Sequence, residues 1–327
     1  MPLQHTLPTT FAAVFILTAA TTASFATSPG TPDRDQIPWP GGKPATAEMI
    51  ELGKVLFFDP RLVPNEGQSC ASCHDPNQGW SDGAAFGVDH KGKQQKRNSP
   101  SIVNLAYSPI IHWDGRTESL ESQAFKSMGK RGVDTTFIPK ISKVQWYQEQ
   151  FAKVFPESGI TQQNMAAAIA AFERSLISDN AAYDRYLRGD KAALSPSAER
   201  GLALFSGKGN CTLCHNGPTF SDHAFHNIGV ASNDPGRGAK VDDKAMQGAF
   251  KTPGLRNVLL TAPYMHDGSI GTLEGVIEFY NRGGDSTDNR SALIKPLGLS
   301  RQEVLDLVAF MAALTDPVVV EPPTIPY

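Results

Sequence analysis

The sequence contains one short motif twice, as Cys70-Ala71-Ser72-Cys73-His74 and as Cys211-Thr212-Leu213-Cys214-His215. The pattern Cys-x-x-Cys-His is typical of c-type haem attachment: two thiols can add to the two vinyl groups of one haem, and the adjacent histidine can bind its iron. All 4 cysteines of the chain lie in these motifs. The sequence therefore predicts two covalently bound haems c, held by Cys70, Cys73, His74, Cys211, Cys214 and His215.

Paired cysteines have two other common uses. Two Cys-x-x-Cys pairs can build one Cys₄ zinc site, and a single pair can be redox-active. Neither use explains why a histidine directly follows both pairs. Haem attachment explains it, and we take it as the main hypothesis.

The residues that precede the two motifs are also alike. Thr46–Phe57 and Ser195–Phe205 each begin with a helix-capping residue and end in Leu-Phe. A short helix, Leu-Phe and the cysteine motif, occurring twice, predict two cytochrome c-like domains. We place the N-terminal domain at residues 27–180 and the C-terminal domain at 190–327, separated by a polar stretch within 179–194.

The remaining pattern predicts a mainly helical fold. Thr161 can cap a helix, and Ser300 with Glu303 can form a capping box at the start of another. The glycine- and proline-containing stretches 75–100 and 216–253 are predicted to be loops around the haems. No segment has a strong strand signal.

Length and charge limit the functional classes. The chain has 327 residues, which suits two domains. It has 30 lysines and arginines against 33 aspartates and glutamates, so it lacks the basic excess typical of nucleic-acid-binding proteins. We therefore expect no nucleic-acid partner.

The N-terminus predicts export. The first 26 residues contain no Asp, Glu, Lys or Arg, residues 11–20 are nearly all apolar, and Ser24-Phe25-Ala26 offers small residues for a signal peptidase. We predict a signal peptide at 1–26 and a periplasmic mature protein without a membrane span. A buried helix or a membrane anchor is the alternative, although the apolar run is short for a span of about 20 residues.

Four further motifs appear in a fixed order between and after the haem motifs. They are Arg97-Asn98-Ser99-Pro100-Ser101, Trp113-Asp114-Gly115-Arg116, Lys251-Thr252-Pro253-Gly254-Leu255-Arg256-Asn257 and Ala262-Pro263-Tyr264-Met265-His266-Asp267-Gly268. Together the six motifs closely resemble those of bacterial di-haem cytochrome c peroxidases and the related MauG proteins. The resemblance runs from Leu52 to Thr315. It implies two haem domains packed around an inter-haem interface, with peroxide chemistry at the N-terminal haem and electron uptake at the C-terminal haem.

The resemblance also implies roles for single residues. Trp113 matches the tryptophan that lies between the haems and couples them, and Gln123 matches a polar residue of the peroxide pocket. No role follows for His112, His223 and His226, which could line haem edges, bind propionates, be packed or lie on the surface. An inter-haem calcium site, consistent with oxygen-only ligands, is matched by Asn98, Thr261 and Pro263.

The sixth ligand of the C-terminal haem is the most informative position. The peroxidases resembled here have a methionine fourteen residues after the histidine of the His-Asp-Gly segment, and counting from His266 gives Tyr280. MauG proteins are similar in placing a ligating tyrosine there. A phenolate oxygen favours oxidised iron and lowers its reduction potential relative to a thioether. Met265 is the alternative ligand.

The N-terminal haem gives mixed signals. His90 stands where a di-haem peroxidase can carry a histidine that blocks the iron, and a surface histidine in the charged loop 89–93 is the alternative. The family's catalytic glutamate is replaced by Val133, and Asp134 is the nearest acid. Since O–O cleavage needs a group that moves a proton, either Asp134 serves, or Gln123 and water do, or peroxidase turnover is poor.

Three functions are therefore compatible with the sequence. A peroxidase would reduce H₂O₂ with electrons from a small c-type cytochrome or cupredoxin, which a blocking His90 would favour. A MauG-like enzyme would oxidise residues of a partner protein, which Tyr280 favours. A non-catalytic di-haem electron carrier is the alternative, and the missing glutamate is its best support.

Overall fold

The computed structural model describes residues 30–63, 66–89, 91–129 and 135–327, so the predicted signal peptide, His90 and Asp134 lie outside the described residues. Two short strands, β1 (Phe225–His226) and β2 (Phe250–Lys251), pair antiparallel with Phe225 opposite Lys251. The described chain is mainly helical, as predicted. Its helices are α1 (Ala47–Phe58), α2 (Leu120–Ser127), α3 (Ile138–Ser142), α4 (Gln145–Val154), α5 (Gln162–Ser175), α6 (Ala182–Leu187), α7 (Pro196–Ser206), α8 (Leu273–Asn281) and α9 (Arg301–Ala312).

The N-terminal half is built on the crossing of α1 and α5. The two helices approach so closely at Gly53 that a Cβ atom there would lie 1.8 Å from the carbonyl oxygen of Ala168. Beside the crossing, the rings of Phe57 and Phe172 meet edge to face, with centroids 5.2 Å apart. The ring of Trp80 lies 6.0 Å from each of them and closes the cluster.

The C-terminal half repeats this arrangement with α7 and α9. A Cβ atom on Gly201 would lie 2.0 Å from the carbonyl oxygen of Asp306. Phe205 and Phe310 pack with ring centroids 5.2 Å apart, and Phe220 lies 6.0 Å and 6.2 Å from them. Each half therefore has a glycine at the helix crossing and three aromatic rings beside it.

Two asparagines extend the repeat into the loops. Asn104 and Asn257 have left-handed backbones, with φ of 58° and 61°. Their backbone N–H groups donate to the carbonyl oxygens of Leu176 and Leu314, at 2.9 Å and 3.1 Å. Their side-chain oxygens accept from backbone N–H groups two residues further along the chain, that of Ser178 at 2.9 Å and that of Asp316 at 2.7 Å.

The helix starts predicted from capping residues are confirmed. The Thr161 hydroxyl accepts from the N–H of Asn164, and Ser300 and Glu303 form the reciprocal capping box. The stretch 179–194, predicted to be a polar connection between the domains, contains a helix, α6. That helix depends on Asp184, whose carboxylate accepts from the N–H of Ala181 and pairs with Arg256 at 2.8 Å.

The described ends of the chain cross between the halves. After α9 the chain returns to the N-terminal half, where Trp80 Nε1 donates to the carbonyl of Val318 at 2.8 Å. At the other end, Arg256 Nη2 of the C-terminal half donates to the carbonyl of Gly30 at 3.0 Å. These two crossings hold the halves together around the cavity described next.

Candidate active site

Each cysteine motif forms a single turn of 3₁₀ helix that leads into its histidine. His74 Nδ1 lies 3.2 Å from the carbonyl oxygen of Trp80, and His215 Nδ1 lies 2.9 Å from that of Phe220. A carbonyl can only accept, so both Nδ1 atoms are donors and both Nε2 atoms keep a lone pair for a metal. Burial lowers the pKa of both rings, which favours the neutral, metal-binding form.

Both histidines line one continuous cavity of about 1290 Å³, together with Trp113 and Tyr280. A typical small-molecule pocket is smaller, roughly 300–1,000 Å³. Lys251 also lines this cavity and makes no ion pair within the described part of the chain; its Nζ reaches only the Thr252 carbonyl at 3.4 Å. The size, the two available Nε2 atoms and a cation for the carboxylates of the group fit two haems.

The zinc alternative does not fit. Among the described residues, one group of histidine, cysteine and acidic side chains lies close enough together for a metal ion, and it contains Cys214, Asp222 and His226. The four thiols are not gathered into one cluster. Cys214 also belongs to the second haem motif, so this group is not a separate structural zinc site.

The repeat continues around the walls of the cavity. The chain from Pro100 to the end of α2 aligns without gaps with the chain from Pro253 into α8, although most side chains differ. His112 and Met265 hold the same left-handed position, with φ of 70° and 71°. Each directly follows the first residue of a bridged pair, Ile111 with Thr117 and Tyr264 with Ile270, in a turn that leads to a capped helix. Relative to the N-caps Ser119 and Thr272, the residue that matches Tyr280 is Ser127.

The two matching residues differ in what they can bind. The Ser127 hydroxyl donates to the carbonyl of Gln123 at 2.9 Å and accepts from the Gln123 amide at 3.0 Å. The Tyr280 hydroxyl has no hydrogen-bond partner among the described residues, and burial raises the pKa of its phenol. The cavity walls are therefore asymmetric, with a long oxygen ligand available on the C-terminal side and a short, already bonded hydroxyl on the N-terminal side.

Trp113 lies where the two halves meet. Its Nε1 donates to the carbonyl of Asn98 at 2.9 Å, and its own carbonyl accepts from the N–H of Lys251 at 2.8 Å. Arg97 spans the same boundary by pairing with Asp114 at 2.8 Å and with Asp234 at 2.7 Å. The tryptophan predicted to lie between the haems is thus fixed in the shared wall of the cavity.

The predicted calcium residues lie near one another. The Asn98 amide nitrogen donates to the carbonyl of Ala84 at 2.7 Å and lies 3.5 Å from that of Pro263. Thr261 bonds back to the carbonyl of Val258 at 3.2 Å. The amide nitrogen therefore faces both carbonyls, and Asn98 would have to turn its amide oxygen towards them to act as a calcium ligand.

Comparison with known proteins finds a family model and several relatives that match this chain. The family model described as di-haem cytochrome c peroxidase matches residues 47–192. The methylamine utilization protein MauG of Methylorubrum extorquens is 40% identical over 302 residues, which cover 89% of this chain and 85% of that protein. The chain belongs to the di-haem cytochrome c peroxidase family. The cytochrome-c peroxidase IdrP1 of Denitromonas iodatirespirans is 38% identical, over 89% of this chain and 88% of its own.

The fold of this di-haem peroxidase is found in solved structures. A MauG-like protein associated with microbial copper homeostasis superposes with a TM-score of 0.80 at 30% identity, over 89% of this chain and 94% of that one. The predicted family, the helical fold and the use of haem are confirmed, and the chain is an oxidoreductase with peroxidase-type activity. No helix in the described ranges is long and apolar enough to cross a membrane.

Two titratable groups of the di-haem peroxidase cavity are given no role by the sequence motifs. Burial lowers the pKa of Lys251 to about 8. Burial also raises the pKa of Glu173 to about 8, and its Oε2 has no partner among the described residues. The sequence does indicate Glu173, because this acid directly follows the apolar residues 165–172 of α5.

Proposed function

We propose that this protein reacts with H₂O₂ at the N-terminal haem and exchanges electrons through a C-terminal haem that Tyr280 closes. The observation that carries the proposal is the difference between Tyr280 and its match in the repeat, Ser127. A haem iron with a vacant position can bind peroxide and transfer electrons to it, whereas an iron with two protein ligands cannot bind it. Tyr280 supplies a second ligand in one half, and Ser127 is too short to do so in the other.

Other residues of the chain bind the haems and line the peroxide site. His74 and His215 hold the two irons through Nε2, and the four cysteines hold the macrocycles. Gln123 lines the N-terminal side of the cavity as a polar neighbour of the peroxide. Asp134 as an acid and His90 as a possible blocking ligand remain predictions from the sequence, and an open N-terminal iron requires that His90 does not bind it.

The electron source we propose is a partner protein, as in the MauG branch of the family. A phenolate ligand stabilises oxidised iron and gives a low reduction potential, which disfavours electron uptake from a high-potential donor. Tyr280 therefore favours oxidation of side chains on a protein substrate. A small c-type cytochrome or cupredoxin is the second candidate, and a Met265 ligand would favour it.

We further propose a periplasmic location and a calcium ion between the haems. The uncharged first 26 residues support export, and export suits covalent haem attachment. The proximity of Asn98 and Pro263 supports a cation site, with Thr261 as the third ligand residue. The ion would stiffen the wall that also holds Trp113, since Asn98 accepts from its indole.

Replacing the two proximal histidines should separate the roles of the haems. His74→Gly should abolish the fast reaction of the ferric protein with H₂O₂. His215→Gly should retain that reaction and lose electron delivery, because the cysteines keep both haems attached and only one proximal bond is removed in each variant. Stopped-flow absorbance after mixing with H₂O₂, at matched haem content, measures this. Loss of the same spectral component in both variants would refute the assignment.

Trp113→Phe should slow electron transfer between the haems without unfolding the protein. The indole has an oxidisable state between the two irons that a phenyl ring lacks, while the aromatic volume is largely kept. Haem spectra should therefore barely change while peroxide-driven turnover falls. Turnover at the wild-type rate would remove Trp113 from the electron path.

A further inference from the structure

We propose that His112 is the catalytic base of the N-terminal site, which takes a proton from H₂O₂ and returns it as the O–O bond breaks. The inference rests on the peroxide reaction proposed above for this haem. It gives the proton-transfer role to a residue that the family resemblance left without one.

The position of His112 follows from the fold. It lines the cavity together with His74. It stands next to Trp113, in a hairpin closed by the bond from Ile111 N–H to the Thr117 carbonyl at 2.7 Å, which leads into α2. In the repeat, α2 matches α8, the helix that carries Tyr280, the proposed second ligand of the C-terminal haem. His112 therefore belongs to the matching wall of the N-terminal site, within electrostatic reach of His74.

The ring of His112 is able to accept and release a proton. It makes no hydrogen bond to any residue that the structure describes. Burial and then the nearby Arg116 cation, opposed by Asp114, lower the pKa of the ring to about 3, with smaller effects from His74 and Lys126. At neutral pH the ring is uncharged, so one nitrogen can accept a proton and, once charged, release it readily.

The neighbouring polar groups are less suited to this role. The Gln123 amide has no basic nitrogen, and the Ser127 hydroxyl already donates to the Gln123 carbonyl. Glu173 also lines the cavity, but it acts electrostatically on Cys70, at the edge where the haem is attached.

The proton balance is simple. A ring nitrogen of His112 takes the proton from one oxygen of H₂O₂, and the same proton passes to the other oxygen, which leaves as water when the O–O bond breaks. Over the full reaction, H₂O₂, two electrons from the donor and two protons from solvent give two water molecules. His112 is unchanged at the end.

The test compares ligands that lose a proton on binding with one that does not. In the full holoprotein with His112→Asn, we expect the rate constants for H₂O₂ and for hydrogen cyanide at the ferric N-terminal haem to fall roughly 10²–10⁴-fold. Carbon monoxide binding to the reduced haem should keep its rate. Asparagine tolerates the left-handed backbone at this position.

His223→Asn is the matched control. His223 has the same left-handed backbone, with φ of 54°, and its ring is already hydrogen-bonded to Ser108 and Ser221 at 3.4 Å and 3.3 Å. The control should leave all three rates at the N-terminal haem unchanged.

Three results would overturn the inference. Unchanged peroxide and cyanide rates in His112→Asn would remove the base, and an equal fall in carbon monoxide binding would make His112 a packing residue. A change from low-spin to high-spin iron in that variant would make it a ligand. If the wild-type N-terminal haem did not react with H₂O₂ at all, the proposed function itself would fail, before any variant is compared.

Discussion

Tyr280→Phe should convert the C-terminal haem from a low-spin to a high-spin ferric centre. The phenylalanine ring fills nearly the same space but has no oxygen, so the sixth coordination position loses its ligand. Because the Tyr280 hydroxyl makes no hydrogen bond within the described structure, the substitution breaks no other polar contact. The variant should consequently fold normally, and its C-terminal haem should gain the ability to bind cyanide.

Tyr280→Met tests the same claim through the reduction potential. A thioether ligand raises the potential relative to a phenolate. The wild-type C-terminal haem should resist reduction by ascorbate, whereas the methionine variant should be reduced easily and show the near-infrared band of methionine ligation. The Tyr280→Met variant should then act more like a peroxidase that accepts electrons from a small redox protein.

Tyr264→Phe is the matched control for these variants. Tyr264 lines the same side of the cavity, but its hydroxyl donates to the Val258 carbonyl at 3.1 Å. Its removal should leave the spin state and the potential of the C-terminal haem unaltered. Low-spin signals that persist in Tyr280→Phe would instead exclude Tyr280 as the ligand and make Met265 the residue to test next.

Gly53→Ala and Gly201→Ala should each destabilise one half of the protein by at least about 3 kcal/mol, the upper end of the cost of overpacking a core. In both cases the new methyl group would lie within 2.0 Å of a backbone carbonyl oxygen on the partner helix. A backbone carbonyl group within a helix cannot rotate to avoid the methyl group as a side chain can. The two helices must therefore move apart. That movement would also disturb the aromatic cluster beside each crossing.

Denaturant unfolding, followed by circular dichroism and haem absorbance, measures this loss. Gly271→Ala is the control, because nothing lies within 4 Å of a Cβ at that position and its backbone is not left-handed. It should change stability by no more than about 0.5 kcal/mol. Equal stability of all three variants would mean that the helices do not cross as described.

Local patterns in the sequence predicted much of this fold. The cysteine motifs, the Thr161 cap and the Ser300–Glu303 capping box each lie within a few residues, so one turn of chain contains the whole signal. The pairing of Asp184 with Arg256 and the bond from Trp80 to Val318 join distant segments. No periodicity marks such contacts, which is why α6 and the crossing chain ends could not be predicted.

The candidate site was predictable to a similar degree. The family motifs led to Tyr280 and Trp113 as single positions. The match between Tyr280 and Ser127 needed the structure, because the two loops share few side chains and are related mainly by their left-handed residues and helix caps. The environment of His112 likewise depends on Arg116 and Lys126, whose approach to the ring the sequence does not show.

The electron paramagnetic resonance spectrum of the ferric protein as isolated, with both spin species quantified against haem content, tests the central claim most directly. An open N-terminal iron and a tyrosine-bound C-terminal iron predict one high-spin and one low-spin centre per chain. Two low-spin centres, or a low-spin centre accompanied by the near-infrared band of methionine ligation, would contradict it.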